Sequence, residues 1–220
     1  MRVSVVIPVF NGEAYLAEAI ESVLGQTRLP DEILIVDDGS TDSSAIIAES
    51  YSIATVLRQA NTGHLAARNL GIRSASGELV AMLDADDRAL PTRLALQVAA
   101  FENQPELAVC YGQATHFWSP EHDPGAPLPY PKPLASPSNT LMARRRTFDQ
   151  VGFFDVGWNH AGQAEWMLRV QEAGLPTLVL GQVLAERRLH PHSLSARGAA
   201  ESREEHLRLV KLNLDRKRKR

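Results

Sequence analysis

The sequence predicts an α/β domain, a Rossmann-like and mainly parallel sheet flanked by helices, on three observations. Apolar, β-rich runs alternate with helix-period segments over short links from Val3 to Leu83, as right-handed βαβ units do. The run Leu79-Val80-Ala81-Met82-Leu83 is too apolar for a strand with one wet face, so it reads as covered on both. That run stops at Asp84, Asp86 and Asp87, on the strand end where open α/β sheets bind ligands. A length of 220 residues with 44% hydrophobic and 22% charged residues suits one globular domain with a substantial core.

Taken in order, residues 3–9 form the first strand, followed by the turn Phe10-Asn11-Gly12. From Glu13 to Gln26, Leu16, Ala19, Ile20, Val23 and Leu24 recur at helical spacing, and Pro30 closes the segment. A second strand covers 32–36 and ends in Asp37-Asp38-Gly39-Ser40-Thr41-Asp42, where Ser40 or Thr41 can cap a helix running to about Ser50. A weaker strand at 54–58, a helix from His64 to Ser74 and the strand at 79–83 follow. Pro91 opens a helix to Asn103, and 107–111 is a further strand. Seven prolines between Ser119 and Pro137 leave no regular element there, so this stretch is a long irregular cover. Helices are predicted near 144–150 and 163–173, a last strand near 177–184, and a charged helix from Glu201. Residues 216–220 are all basic, which reads as a solvated end or a peripheral contact with anionic lipid.

Composition narrows the partners. A net charge of −3 gives no reason to expect nucleic acid, and the single cysteine, Cys110, cannot form an internal disulfide. No run approaches the roughly 20 apolar residues of a membrane span, and Pro8 stops the N-terminal run too early for a signal peptide. The expected setting is the cytoplasm.

Parallel strands would bring Asn11, Asp38 and Asp86 to one edge and so to one cleft. Three carboxylates within four residues repel one another and raise each other's pKa unless positive charge sits among them. A divalent cation, Mg2+ or Mn2+, meets that need through oxygen ligands, and an acidic turn capping the next helix is the alternative. A cation bridging a diphosphate, with a second carboxylate on the base or ribose, makes a nucleoside diphosphate a sensible ligand. The first strand leads into Pro8-Val9-Phe10-Asn11-Gly12, with no G-x-G-x-x-G, and there is no P-loop. A dinucleotide oxidoreductase is therefore disfavoured.

Three stretches, VSVVIPVFNGEAYLAEAIESVLGQT, DEILIVDDGSTD and NTGHLAARNLGIRSASGELVAMLDADD, resemble in content, order and spacing the nucleotide-sugar-binding half of family 2 glycosyltransferases, which have the GT-A fold. The resemblance implies a nucleotide-sugar half at 1–114, an acceptor-side, catalytic half of the same domain at 115–200, and a charged helix with a basic tail at 201–220. It implies that Asp38 contacts the nucleobase, that Pro8, Phe10, Asn11 and Glu13 line its pocket, and that Arg68 lies near it. Asp84 and Asp86 then form a D-x-D metal motif, with Asp87 sharing the Mn2+ or Mg2+. The activity implied is metal-assisted, inverting transfer of a sugar from a UDP-linked donor to an unknown acceptor hydroxyl.

The second half is less faithful. Where relatives carry an acidic pair before Arg169, this chain has Gly162 and Gln163, neither of which can act as a base. Glu165 is the nearest carboxylate, and three residues from 162 it shares that helical face. It is the candidate base, against a plain surface pair with Arg169, and Asp155 is the reserve. His190, in Arg187-Arg188-Leu189-His190, matches a segment that holds diphosphate or metal in relatives. Trp118, Trp158 and Trp166 could stack on an acceptor sugar or fill the core. The broken acidic pair keeps a second reading open, a nucleotide-sugar-binding or scaffold protein that has lost catalysis.

Overall fold

The computed structural model describes residues 1–218. In chain order its elements are β1 (Val3–Val9), α1 (Leu16–Leu24), β2 (Glu32–Asp37), α2 (Ser44–Ser50), β3 (Ala54–Arg58), α3 (His64–Ser74), β4 (Leu79–Met82), β5 (Arg88–Ala89), α4 (Arg93–Asn103) and β6 (Val109–Trp118). There follow β7 (Leu134–Ala135), α5 (Pro137–Thr140), β8 (Met142–Arg144), α6 (Arg145–Val151), α7 (Gly162–Glu172), β9 (Thr177–Leu189), α8 (Leu194–Arg197) and α9 (Ala199–Arg218). The described strands form one sheet in the order β3-β2-β1-β4-β8-β6-β9-β5, with β7 on β6. β3, β2, β1 and β4 are mutually parallel, and β8 runs antiparallel between β4 and β6.

Every residue of β1 is buried, because helices cover both faces of the sheet. One core packs Val5, Ile7 and Ile35 against Leu16, Ile20 and Phe101 of α1 and α4. The other packs Val6, Val36 and Met82 against Leu65, Phe148 and Trp166 of α3, α6 and α7. Burying one such side chain contributes about 1.5–3 kcal/mol. In α1 the buried set is Leu16, Ala19, Ile20 and Val23, the spacing that predicted the helix. α3 approaches the sheet through Gly71, where an added Cβ would lie 2.3 Å from Val6 Cγ1. That close packing aims the next face of α3 at the carboxyl edge of β4.

Several boundaries depart from expectation. α1 and α2 begin at Leu16 and Ser44, because the residues before them tie loops together over the cleft. β6 and β9 run on to Trp118 and Leu189 because they pair with each other in parallel over nearly their whole length. The 114/115 division falls inside β6. The proline-rich stretch carries a 3-10 turn at Pro120–His122 and the two-residue β7.

α9 is docked along the domain. Glu205 accepts the backbone N–H groups of Asn159, His160 and Ala161 at 2.8, 2.7 and 2.8 Å, at the N-terminus of α7. Arg216 reaches Glu172 near the other end of α7, and the Arg208 guanidinium lies 4.3 Å over the Trp158 ring. Of the basic run, Lys219 and Arg220 lie outside the described residues. No helix among the described residues is long and apolar enough to cross a membrane.

Candidate active site

The loops after β1, β2 and β4 meet at one edge and are stitched to one another. Asn11, held at a φ of 50°, accepts from the Thr41 N–H at 2.8 Å, and Glu13 accepts from the Ser43 N–H at 2.9 Å. Asp38 is buried, and its carboxylate accepts from the Thr62 and Gly63 N–H groups at 3.0 and 2.9 Å and from Gln59 at 2.6 Å. It thus fastens the β3–α3 loop. Of the residues expected to line a base pocket, Phe10 is open to solvent, whereas Pro8 is buried within β1. Pro8 is tolerated in that strand because the β1–β4 pairing ends at Val6.

Positive charge among the carboxylates comes from three arginines. Arg68, one α3 turn below His64, is buried and pairs with Asp84, and it donates to Gln163 Oε1 at 2.9 Å. Arg93 lies fully buried beneath the loop and donates to the Met82 carbonyl at 2.6 Å; burial lowers its pKa to about 10, against the pull of Asp84 and Asp87. Arg188 pairs with Glu18, and its Nε donates to the Asp86 carbonyl at 2.9 Å. Sequence reasoning missed Arg93 and Arg188. An arginine two residues after Pro91 and another beside His190 were the only signals.

Asp87 departs from its expected role as a metal ligand. It is buried, and each oxygen is taken, one by the Arg188 N–H at 2.9 Å and the other by Asn139 Nδ2 at 2.8 Å. Burial first, then Asp86 and Asp84, push its carboxyl well above the ordinary range. It joins the β4–β5 turn to β9 and α5. No group of three His, Cys, Asp or Glu side chains among the described residues is placed to hold a cation alone. Asp86 and His190 remain: they touch at 3.0 Å, and Asp86 is about one-third exposed. A carboxylate such as Asp86, completed by phosphate oxygens, fits the way Mg2+ is commonly bound, and the His190 imidazole is the softer ligand beside it.

Glu165 also departs from expectation. It is buried, bonded to Arg169 Nε at 2.9 Å and paired with Arg216 at 3.4 Å, on the side of α7 that faces α9. Two residues away around the helix, Gln163 faces the cleft, bridging Arg68 and the Pro137 carbonyl. Gly162 is pressed on α3, where an added Cβ would lie 2.4 Å from Leu65 Cδ1. The reserve candidate Asp155 accepts from the Gly157 N–H at 2.9 Å within its own turn. Trp166 is core, Trp158 is buried beneath Arg208, and Trp118 is partly exposed. Beside the cleft, His64, Trp158, Asn159, Glu201 and Glu205 line a cavity of about 240 Å³. Burial and then the Arg68 charge lower the pKa of His64 to about 4, so it is neutral at pH 7.

A mainly parallel sheet with carboxylates from three strand ends around one cleft defines an α/β domain of the GT-A type. The chain belongs to glycosyl transferase family 2, whose family model matches residues 4–167. It is 41% identical over 114 residues to an uncharacterized glycosyltransferase, YibD, of Escherichia coli, a match covering 50% of this chain and 33% of that protein. A similar match, 42% over 116 residues, joins it to an uncharacterized glycosyltransferase, alr2836, of Nostoc, covering 50% of this chain and 36% of that one. The chain thus spans about a third of the length of these relatives. The fold is shared with S. aureus TarS 1-349 in complex with UDP-GlcNAc, at a TM-score of 0.73 and 22% identity over 89% of this chain and 61% of that one.

Proposed function

We propose that the protein transfers a sugar from a nucleoside-diphosphate sugar, UDP-linked, to an acceptor hydroxyl with inversion at the anomeric carbon. The observation that carries this reading is the meeting of Asp38, Asp84 and Asp86 with His190 at the carboxyl edge of β1, β2 and β4. Family membership and the likeness to a UDP-GlcNAc complex support the donor class. In this reading Phe10 and Asn11 border the nucleobase, and Asp38 holds the loop that faces it. Asp86 and His190 would hold Mg2+ or Mn2+, which would offset the charge of the departing diphosphate. Arg68 keeps Asp84 in place beside the sugar. The acceptor oxygen displaces the diphosphate from the opposite face, and a base takes its proton.

A second reading is favoured by the state of α7, where Gln163 has no proton affinity and Glu165 is bound between two arginines. It is a nucleotide-sugar-binding protein without transfer. Titrating the chain with a panel of nucleoside-diphosphate sugars, with Mn2+ or Mg2+ or neither, and then following nucleotide release separates the two. Binding with turnover supports the enzyme, binding without turnover supports the binder, and no binding by any donor overturns both.

A further inference from the structure

The C-terminal helix has two faces with different partners. Glu205, Leu209, Leu212 and Arg216, spaced i, i+4, i+7 and i+11, face the domain: Leu209 is buried, Leu212 packs on the core, and Glu205 and Arg216 bond to the ends of α7 and to Glu165. The opposite face carries Leu207, Val210 and Leu214, which are 66%, 57% and 51% exposed. Three large apolar residues at i, i+3 and i+7 make a continuous stripe. Arg203, Lys211 and Arg218 are exposed on the same side, with no ion pair among the described residues. Glu204 and Asp215 stand about a quarter turn away from the stripe's centre. A merely solvated helix has no need of an apolar stripe on its outer face.

We propose that this outward face of α9 docks on an anionic lipid surface, the apolar stripe entering the headgroup region and the basic residues meeting lipid phosphates. An interfacial helix has this makeup, with apolar side chains on the buried face and cations beside them. A second copy of the chain fits worse. The stripe has three apolar positions where a coiled-coil seam needs about three heptads. The sequence places Arg203 at the seam position before the stripe. In a parallel pair Arg203 would meet Arg203, which brings like charges together.

The test uses the full 220-residue chain and sedimentation with vesicles of phosphatidylcholine, alone or with about one lipid in three replaced by phosphatidylglycerol. Binding to the anionic vesicles is expected to exceed binding to the neutral ones at least about tenfold, since each basic residue near such a surface is worth roughly fivefold. It should weaken as salt is raised. Leu207→Ser with Val210→Ser and Leu214→Ser should remove most of that binding while the thermal unfolding curve stays in place. The pair Arg203→Glu and Lys211→Glu, which leaves the stripe intact, should weaken it as well. The proposal is overturned if the parent chain ignores anionic vesicles, or if the serine triple binds them as the parent does. It is equally overturned if light scattering shows a dimer that the triple dissolves while neither protein binds lipid.

Discussion

Glu205→Ala tests whether α9 is part of the domain. The substitution takes one carboxylate from three backbone N–H groups, at 2.7 to 2.8 Å, at the start of α7. Losing a helix cap costs about 0.5–2 kcal/mol, and losing a negative charge at a helix N-terminus about 0.3–1 kcal/mol. Each hydrogen bond to a charged group adds roughly 1.5–3 kcal/mol when fully shielded. Glu205 is half-buried, so water re-solvates part of what is uncovered, and a net loss of about 2–4 kcal/mol is expected. For a chain of this length that lowers Tm by about 5–15 °C. Burial works against the charged form of Glu205, but the N–H groups of Ala161, Asn159 and His160 overcome it and hold its pKa below the ordinary 4.5. Its stabilisation is therefore complete above that value and is lost as pH falls through the lower, folded one. Urea unfolding of parent and variant at pH 7 and in acid should show two curves that converge on acidification. A difference under about 0.5 kcal/mol at pH 7, or one that widens in acid, would refute the account.

Arg93→Met should cost about 3–5 kcal/mol in chemical denaturation, because it leaves the Met82 carbonyl and Gln97 Oε1 buried without their donor. Glu165→Gln should lower stability by about 1–3 kcal/mol through its two arginines and leave any nucleotide-sugar turnover at the parent rate. A drop of about 100-fold in that turnover would restore Glu165 as the base. Asp86→Asn and His190→Ala should each abolish the Mn2+-dependent part of nucleoside-diphosphate affinity in calorimetry with little change in stability. An unchanged metal dependence in both would exclude that pair. His64→Asn should flatten the acid sensitivity of folding. The neutral imidazole, lowered to about 4 in the folded chain, stays unprotonated while the unfolded one gains a proton below about 6.5. The parent accordingly loses up to about 3 kcal/mol between those pH values, and equal slopes in parent and variant would count against it.

The parallel half of the fold was legible because strands covered on both faces are mostly apolar: β4 is so throughout, β2 between Glu32 and Asp37, and β1 apart from Ser4. β6 and β9 were cut short because the residues that extend each of them pair with a strand about 70 positions away. No local pattern reports such a partner. Among the site residues, periodicity could not tell which of the adjacent Asp86 and Asp87 turns inward, since neither belongs to a regular element. The misplacement of Glu165 has a plainer cause. It does share the face of Gly162, but that face is the one packed on α3 and α9, so sharing it means burial among arginines and not access to the cleft. Glu205 gave no signal, because one glutamate in a charged helix looks like any other until its partners are known.

The three carboxylates after β4 pose a charge problem that a divalent ion would meet, and the structure meets part of it with arginine. Arg68 neutralises Asp84 directly, Arg93 lies beneath the loop, and Arg188 donates its backbone N–H to Asp87 and its Nε to the Asp86 carbonyl while its guanidinium pairs with Glu18. Asp87, driven by burial toward its neutral form, removes more of the repulsion. Asp84, though as exposed as Asp86, is tied to Arg68, so Asp86 beside His190 offers two ligands and, among the described residues, no closed cage. A site so poor in ligands holds a cation weakly until phosphate oxygens complete the shell. With the arginines in view, we propose that a cation at Asp86 and His190 would be captured together with a diphosphate and would leave with it.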